Sequence, residues 1–492
     1  MAMHRPTRPP PHRRRPWPSP SASRLTTHSL LLALLALLSG CLIDTTAKTP
    51  TPPPPTPTPR PTPTATPGVL PIRPPTLPPV RESLVTATPP AVSAPDIRAA
   101  GQIVYLTGRG GRRDIASIEP PSGDQRFLNV GTYNAPVWSP DGGRFAAYGA
   151  TVVGGRPDQL VLFAGNGRAL ARYALEGEGV GVPVWSPDGR YLLALQRNPA
   201  ETSGTRTAWI VDEDGPRPLP LPAGAVPWRW TPDNRLAYIN YPPGGQRRVS
   251  QSNPLAIWSA DPAGGTDRKE IEGVIAPLGW SPSGQTFYAF DGLLPDQGAG
   301  VTRATSLIAI DRRLGNTRSI ITAEAIAAAG GGARGGTHWF EGGSVAPAGG
   351  QLALWLGGVG GVGTPAAAGQ LLVALVDEVG RLLLRETVRG ADFAPAFAWS
   401  PGGLLVAYIA ATDTGGALHI LSSNGQPPLI YPLPAAPATG DTPPTWSPDS
   451  RWVAIGGPGG LTIAATIGDP RTFALVADAS IGAPAWRPAA LR

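Results

Sequence analysis

Beyond about residue 100 the chain alternates short apolar runs with polar turn clusters, and nowhere does it hold the apolar period of a long amphipathic helix. The apolar runs are Phe145–Tyr148, Tyr191–Leu195, Leu236–Ile239, Thr286–Phe290, Leu404–Ile409 and Trp452–Ile455. Each follows a turn made of Pro, Asp and Gly or their substitutes. A second apolar run and a second turn follow, as in Leu160–Gly167, Ala208–Gly215, Ala256–Gly265, Leu372–Gly380 and His419–Gly425. Short strands with evenly spaced turns predict an all-β fold.

The turn before each first strand is a repeated phrase, Pro-x-Trp-Ser-Pro-Asp-Gly. It reads A-P-V-W-S-P-D-G at 135–142 and V-P-V-W-S-P-D-G at 182–189. Softer copies are W-R-W-T-P-D-N at 228–234, P-L-G-W-S-P-S-G at 277–284, A-F-A-W-S-P-G-G at 396–403 and P-P-T-W-S-P-D-S at 443–450. A fragment, A-P-A-W-R-P, ends the series at 483–488. The motif tryptophans are Trp138, Trp185, Trp230, Trp280, Trp399, Trp446 and Trp486, spaced by 47, 45, 50, 119, 47 and 40 residues. The long gap holds a degenerate copy, V-A-P-A-G-G-Q-L-A-L at 345–354, in which Val345 replaces the tryptophan.

Ser-Pro-Asp-Gly codes a type I turn with proline at its second position and a residue of positive φ closing a bulged hairpin. Asn234 can stand for that glycine, and Ser450 does so less comfortably. A unit of ~40–50 residues with about four strands has the size of one propeller blade. The sequence therefore predicts a single β-propeller over residues 97–492, with eight blades and seven as the alternative count. Residues 101–128 form a blade lacking its opening motif, and Ala483–Pro488 is a motif lacking its blade. Joining them would close the ring and hide both sheet edges. The tryptophans are then expected to pack between blades.

These copies resemble the TolB-type propeller family, which carries a W-S-P-D-G hairpin in each blade. The resemblance covers residues 101–492 and implies a rigid scaffold with its activity in the loops. Nothing in this chain resembles the separate α/β domain that precedes the propeller in TolB itself.

The N-terminus changes the setting. A basic stretch precedes the apolar run Leu30–Leu38, which is too short to span a bilayer, and Leu38-Ser39-Gly40-Cys41 follows. That ending resembles the bacterial lipobox. The resemblance implies a signal peptide at 1–40, cleaved before Cys41, with acylation of that cysteine. Cys41 is the only cysteine in the chain. Residues 41–96 are rich in Thr and Pro and cannot build a core, so a disordered stalk is expected there. The expectation is an exported protein, anchored by lipid at the extracellular face or the outer membrane, with a monomeric head.

Charge argues against nucleic acid as a partner. The chain is formally +7, but six arginines and no acid lie in residues 1–40, leaving +1 for the remainder. No cofactor and no metal are expected. Beyond residue 40 the histidines are His338 and His419, too few for a histidine-built metal centre. There is no G-x-S-x-G elbow and no Walker loop, and the glycine tracts at 330–336 and 357–363 lack a phosphate-binding lysine. Asp141, Asp188, Asp233 and Asp449 have turn roles, and Asp212-Glu213-Asp214 lacks the spacing of a calcium loop. No catalytic residue is assigned.

Binding chemistry is expected in three long insertions, Tyr241–Asn253, Gly292–Ala304 and Ala325–Gly343. Within them Arg247, Arg248, His338 and Trp339 could meet a glycan or peptide. The competing expectation is that Trp339 and Phe340 begin a strand and belong to the core. The function expected is non-catalytic binding or scaffolding toward an envelope protein or cell-wall glycan. The alternative is an extracellular carbohydrate-active enzyme of the lyase-like propeller kind.

Overall fold

The computed structural model describes residues 101–109, 112–120, 124–197, 206–222, 224–240, 254–294, 303–329, 337–359, 370–389, 396–412, 415–433, 443–467, 471–477 and 481–489. The signal peptide, Cys41 and the Thr/Pro-rich segment lie outside them, as do Arg247 and Arg248.

Strand pairing traces eight antiparallel four-strand runs among the described residues. Run 1 orders Ile481–Trp486, Ile103–Arg109, Arg112–Ile118 and Gln125–Asn129. Run 2 holds Val137–Trp138, Arg144–Ala150, Gln159–Ala164 and Ala169–Ala174. Run 3 holds Val184–Trp185, Leu192–Arg197, Arg206–Asp212 and Gly215–Leu219. Run 4 holds Ala225–Trp230, Leu236–Asn240, Leu255–Ala260 and Arg268–Gly273. Run 5 holds Ala276–Trp280, Thr286–Leu293, Ala304–Asp311 and Thr317–Thr322. Run 6 holds Thr337–Val345, Gln351–Val359, Gln370–Asp377 and Leu382–Arg389. Run 7 holds Ala398–Trp399, Leu405–Thr412, Gly415–Ser422 and Leu429–Leu433. Run 8 holds Thr445–Trp446, Trp452–Gly457, Gly460–Ala465 and Thr472–Ala477.

The core lies in the seams between runs. Residues of one strand alternate between its two faces, so each run feeds two seams. Leu236 and Tyr238 pack with run 3, while Ala237 and Ile239 pack with run 5. The cluster between runs 8 and 1 joins Trp452, Ala454 and Ile463 to Ile103, Tyr105 and Trp486. The C-terminal strand pairs with Ile103–Arg109, matching Ile103 with Trp486 and Thr107 with Ile481. The first and last described strands thus share one run, as expected from the split motif, and the fold is a closed β-propeller.

The repeat explains how neighbouring runs are fixed. The indole N–H of each of four motif tryptophans donates to the carbonyl one position before the preceding motif tryptophan. Trp138 reaches Ala485 O at 3.0 Å, Trp185 reaches Val137 O at 3.1 Å, Trp230 reaches Val184 O at 2.9 Å and Trp446 reaches Ala398 O at 2.8 Å. Trp280 and Trp399 are the breaks in this relay, their buried indole nitrogens having no partner among the described residues.

The turn chemistry also follows the sequence. Ser139 N donates to Arg144 O at 2.8 Å and Gly142 N to Ser139 O at 2.9 Å. The degenerate copy repeats both bonds, from Ala346 N to Gln351 O and from Gly349 N to Ala346 O. Positive φ is adopted by Gly142, Gly189, Gly284, Gly349 and Gly403, by Asn234 at 59° and by Ser450 at 61°. One element was not anticipated. Ala323–Ala329 is a short α-helix, started by Thr322, whose Oγ1 accepts from Ala325 N at 3.2 Å. It lies largely within the insertion expected at Ala325–Gly343.

Candidate functional site

Antiparallel order assigns each connection to one end of the propeller. The motif hairpins share an end with the turns joining third and fourth strands. The connections between second and third strands, and from one run to the next, leave by the opposite end.

At the motif end the conspicuous side chains are already engaged. Ser139, Ser186 and Ser447 are fully buried. Each donates to the motif aspartate two residues on, at 2.5, 2.6 and 2.5 Å, and accepts from the backbone N–H of Arg144, Tyr191 or Trp452 at the start of the second strand. The Ser139 bond, with the Gly143 N–H, holds the Asp141 carboxyl below its usual range. Burial alone would raise the Asp233 carboxyl, but bonds from Thr231 and Arg268 and the charges of Arg312 and Arg268 bring it down to about 2. Glu270, whose side chain is buried while Asp233 is exposed, completes this network by binding both arginines. The motif thus uses its polar groups for folding and blade-to-blade registry.

The opposite end carries the expected ligand residues that are described. His338 and Trp339 begin the first strand of run 6. His338 Nδ1 lies 3.1 Å from Glu324 Oε2 on the short helix. The Trp339 indole N–H donates to Glu341 Oε1 at 2.9 Å, and the Arg303 guanidinium sits over the Trp339 ring at 4.4 Å. Two glycines in the adjoining strand make room, since a Cβ at Gly357 would lie 2.5 Å from Glu341 Oε1 and one at Gly358 2.6 Å from His338 Cδ2. The structure therefore brings His338 and Trp339 together with Glu324, Glu341 and Arg303. Trp339 is largely buried, and Phe340 is core, stacked on Phe290. Gly357 and Gly358, from the glycine tract at 357–363, are strand positions kept bare for these side chains.

A second titratable cluster was missed by sequence. Glu386 accepts from the Tyr408 hydroxyl at 2.7 Å and lies 2.9 Å from His419 Nδ1, and the Tyr408 and His419 rings stack at 4.8 Å. Burial first, and then the Glu386 charge, push the Tyr408 phenol well above its ordinary value. Tyr408 is fully buried between runs 6 and 7, which suits a seam clamp. Only the cross-run pairing joins these residues, and no local spacing announces it. Among the described residues no three His, Cys, Asp or Glu side chains gather as a metal centre would require.

The third location is the row of motif strands. The motif strands are innermost: those of runs 2 and 3, 7 and 8, 8 and 1, and 1 and 2 touch one another. The residue before each motif tryptophan, or before Val345, is in chain order Val137, Val184, Arg229, Gly279, Ser344, Ala398, Thr445 and Ala485. Val184 is 41% exposed although it lies on an inner strand. Arg229 is the one charged member of that series. Its guanidinium lies 4.2 Å over the Trp228 ring and extends toward run 5, where a Cβ on Gly279 would meet its Nη1 at 2.6 Å. Arg229 is an exposed residue, although partial desolvation of its guanidinium against Trp228 pulls it down to about 10.

No family model matches the chain, and no curated protein matches it. Solved structures do. TolB from Acinetobacter baumannii is similar at 13% identity, covering 80% of this chain and 67% of that one, with a TM-score of 0.35. A prolyl endopeptidase aligns at 12% identity over 76% of this chain and 54% of its own, TM-score 0.46. The Pseudomonas aeruginosa periplasmic gluconolactonase aligns at 16% identity over 68% and 97%, TM-score 0.40.

Proposed function

We propose that this protein is a cell-envelope lipoprotein whose propeller head, with the eight runs as eight blades, is a non-catalytic module binding an envelope protein or a cell-wall glycan. In this reading Cys41 carries the lipid and residues 41–96 hold the head off the membrane. The observation that supports it is the difference between the two ends. The repeated Ser, Asp and Trp are bonded within turns and seams, whereas His338, Glu324, Trp339, Glu341 and Arg303 break the repeat and gather at the other end. Non-repeated polar and aromatic groups on a rigid scaffold suit recognition.

The test is in-cell crosslinking of the full-length acylated protein, read by quantitative mass spectrometry and by binding to purified cell-wall polymer. One near-stoichiometric partner, or saturable glycan binding, is expected. Either should be lost in His338→Ala with Glu324→Ala and kept in Glu213→Ala, a control in an exposed turn at the motif end. Equal loss or equal retention in both variants would refute the placement of the site. Cleavage of the polymer by wild type would favour the carbohydrate-active alternative.

A further inference from the structure

We propose that the outer mouth of the seam between runs 1 and 2 docks an acidic peptide segment, taking one aliphatic side chain into a recess and carboxylates onto the arginines around it. This surface is separate from the His338 cluster on runs 5 and 6, and it stands or falls without it.

The recess is the first ground. At the end opposite the motif hairpins, the connection leaving run 1 places the short strand Thr132–Tyr133 between the two runs. It pairs parallel with Arg112–Ile118 and antiparallel with Arg144–Ala150. Beside it lies a cavity of about 360 Å³, within the size range of ligand pockets. Tyr133 lines it from below, only 3% exposed and edge-on to Phe163 at 5.9 Å. Ala150, Val130 and Val153 line it as well, and the two valines are 59% and 57% exposed. Val152, next to Val153 in the same loop, is 68% exposed. Aliphatic side chains gathered in water around one recess mark contact with a partner. The lining offers alkyl surface and no open aromatic face. It therefore suits an aliphatic side chain better than a sugar ring, which packs best on such a face.

Charge is the second ground. Arg172 lines the recess, Arg113 pairs in register with Thr132 of its wall, and Arg156 lies in the loop of Thr151 and Val153. Arg172 stands opposite Val161, and Arg113 lies two residues before Ile115. Val161 and Ile115 both pack in the seam between runs 1 and 2, so strand alternation turns both arginines toward it. All three arginines are exposed, as a docking surface requires, and none has an ion-pair partner among the described residues. The one side-chain bond among them is from Arg172 Nη1 to Gln159 Oε1 at 3.5 Å.

The neighbouring acids are held by the fold itself. Asp114 Oδ1 accepts from Gly131 N at 2.8 Å, and Asp158 accepts from Thr151 N at 2.8 Å and from the Thr151 hydroxyl. No acid lines the recess. The arginine forks are thus left for incoming carboxylates, which they match in shape and charge. Cations beside an alkyl recess select a segment that carries acids on either side of an aliphatic residue.

The experiment follows the fluorescence anisotropy of dye-labelled pentapeptides E-D-L-D-E, E-D-S-D-E and K-S-L-S-K as the full-length chain is added. E-D-L-D-E should bind saturably and more weakly as salt rises. E-D-S-D-E should bind about tenfold more weakly, for want of the aliphatic side chain, and K-S-L-S-K should not bind. Arg156→Gln with Arg172→Gln should weaken E-D-L-D-E at least about tenfold, and Val153→Ser about threefold. His338→Ala should bind like wild type. The replaced arginines and valine are exposed, so these variants should melt with wild type. Absence of saturable binding, equal affinity for E-D-S-D-E, or unchanged affinity in the double arginine variant would overturn the proposal. So would stronger competition by polygalacturonate, an acidic glycan, than by unlabelled E-D-L-D-E.

Discussion

Trp138 and Ala485 stand 347 positions apart, yet the Trp138 indole N–H donates to the Ala485 carbonyl oxygen at 3.0 Å. This is the same bond that Trp185 makes to Val137 within the series. The seam that closes the ring is therefore built like the seams inside it. Truncating Trp185 to Ala should cost roughly 3–5 kcal/mol, by lost packing and a cavity. Trp185→Phe, which keeps most of the ring and loses the donor, should cost about 1 kcal/mol. Urea melts of both variants check the split. Equal losses would mean that the bond carries the whole effect.

The seven turn positions of positive φ offer a second test. Ser450 sits at 61° without the side-chain bond that Asn234 gains by accepting from Asp188 N at 3.0 Å. Ser450→Gly should stabilise the fold by up to ~1 kcal/mol. Gly189→Ala should destabilise it by about 1–2 kcal/mol, since its φ is 70°. Opposite shifts in melting temperature are expected, and shifts of the same sign would contradict the turn assignment.

Alkali should unfold the protein through its buried phenols. Burial pushes Tyr105, Tyr148 and Tyr431 up to about 12. In the unfolded chain a tyrosine ionises near 10. The stabilising contribution of these groups is thus complete below pH ~10 and is lost as pH rises toward 12. The melting temperature should fall across that interval, together with the onset of phenolate absorbance. Tyr105→Phe should blunt the fall without weakening the fold at neutral pH, because the Tyr105 hydroxyl is buried without a partner among the described residues.

Cys41→Ser tests the anchor separately. The variant should lack the acyl group and move from the detergent phase to the aqueous phase on partitioning. Intact-mass measurement of the mature protein reads the modification directly. An unmodified wild-type Cys41 would refute lipidation.

Most of the scaffold was legible because its cause is local and repeated. Ser-Pro-Asp-Gly dictates a hairpin wherever it stands, and even the copy led by Val345 keeps the two backbone bonds of that hairpin. The strand expected at Leu236–Ile239 forms at Leu236–Asn240, and that at Trp452–Ile455 forms at Trp452–Gly457. The site was less legible. The Glu386–Tyr408–His419 cluster exists only once runs 6 and 7 pack together. His338 gains Glu324 from a helix whose signal, an alanine run after Thr322, is brief.

The shared run also decides where mechanical load falls. The strand Ile103–Arg109 is the first described element after the N-terminal segment, and ladders grip it on both sides, one to Arg112–Ile118 and one to Ile481–Trp486. Tension arriving along the chain from residue 100 meets a strand that cannot peel away from one neighbour alone. To give way, the propeller must release the strand Ile481–Trp486 and open the ring in the same event. The propeller would therefore yield as a single cooperative unit, with the strand Ile481–Trp486 completing the grip on Ile103–Arg109.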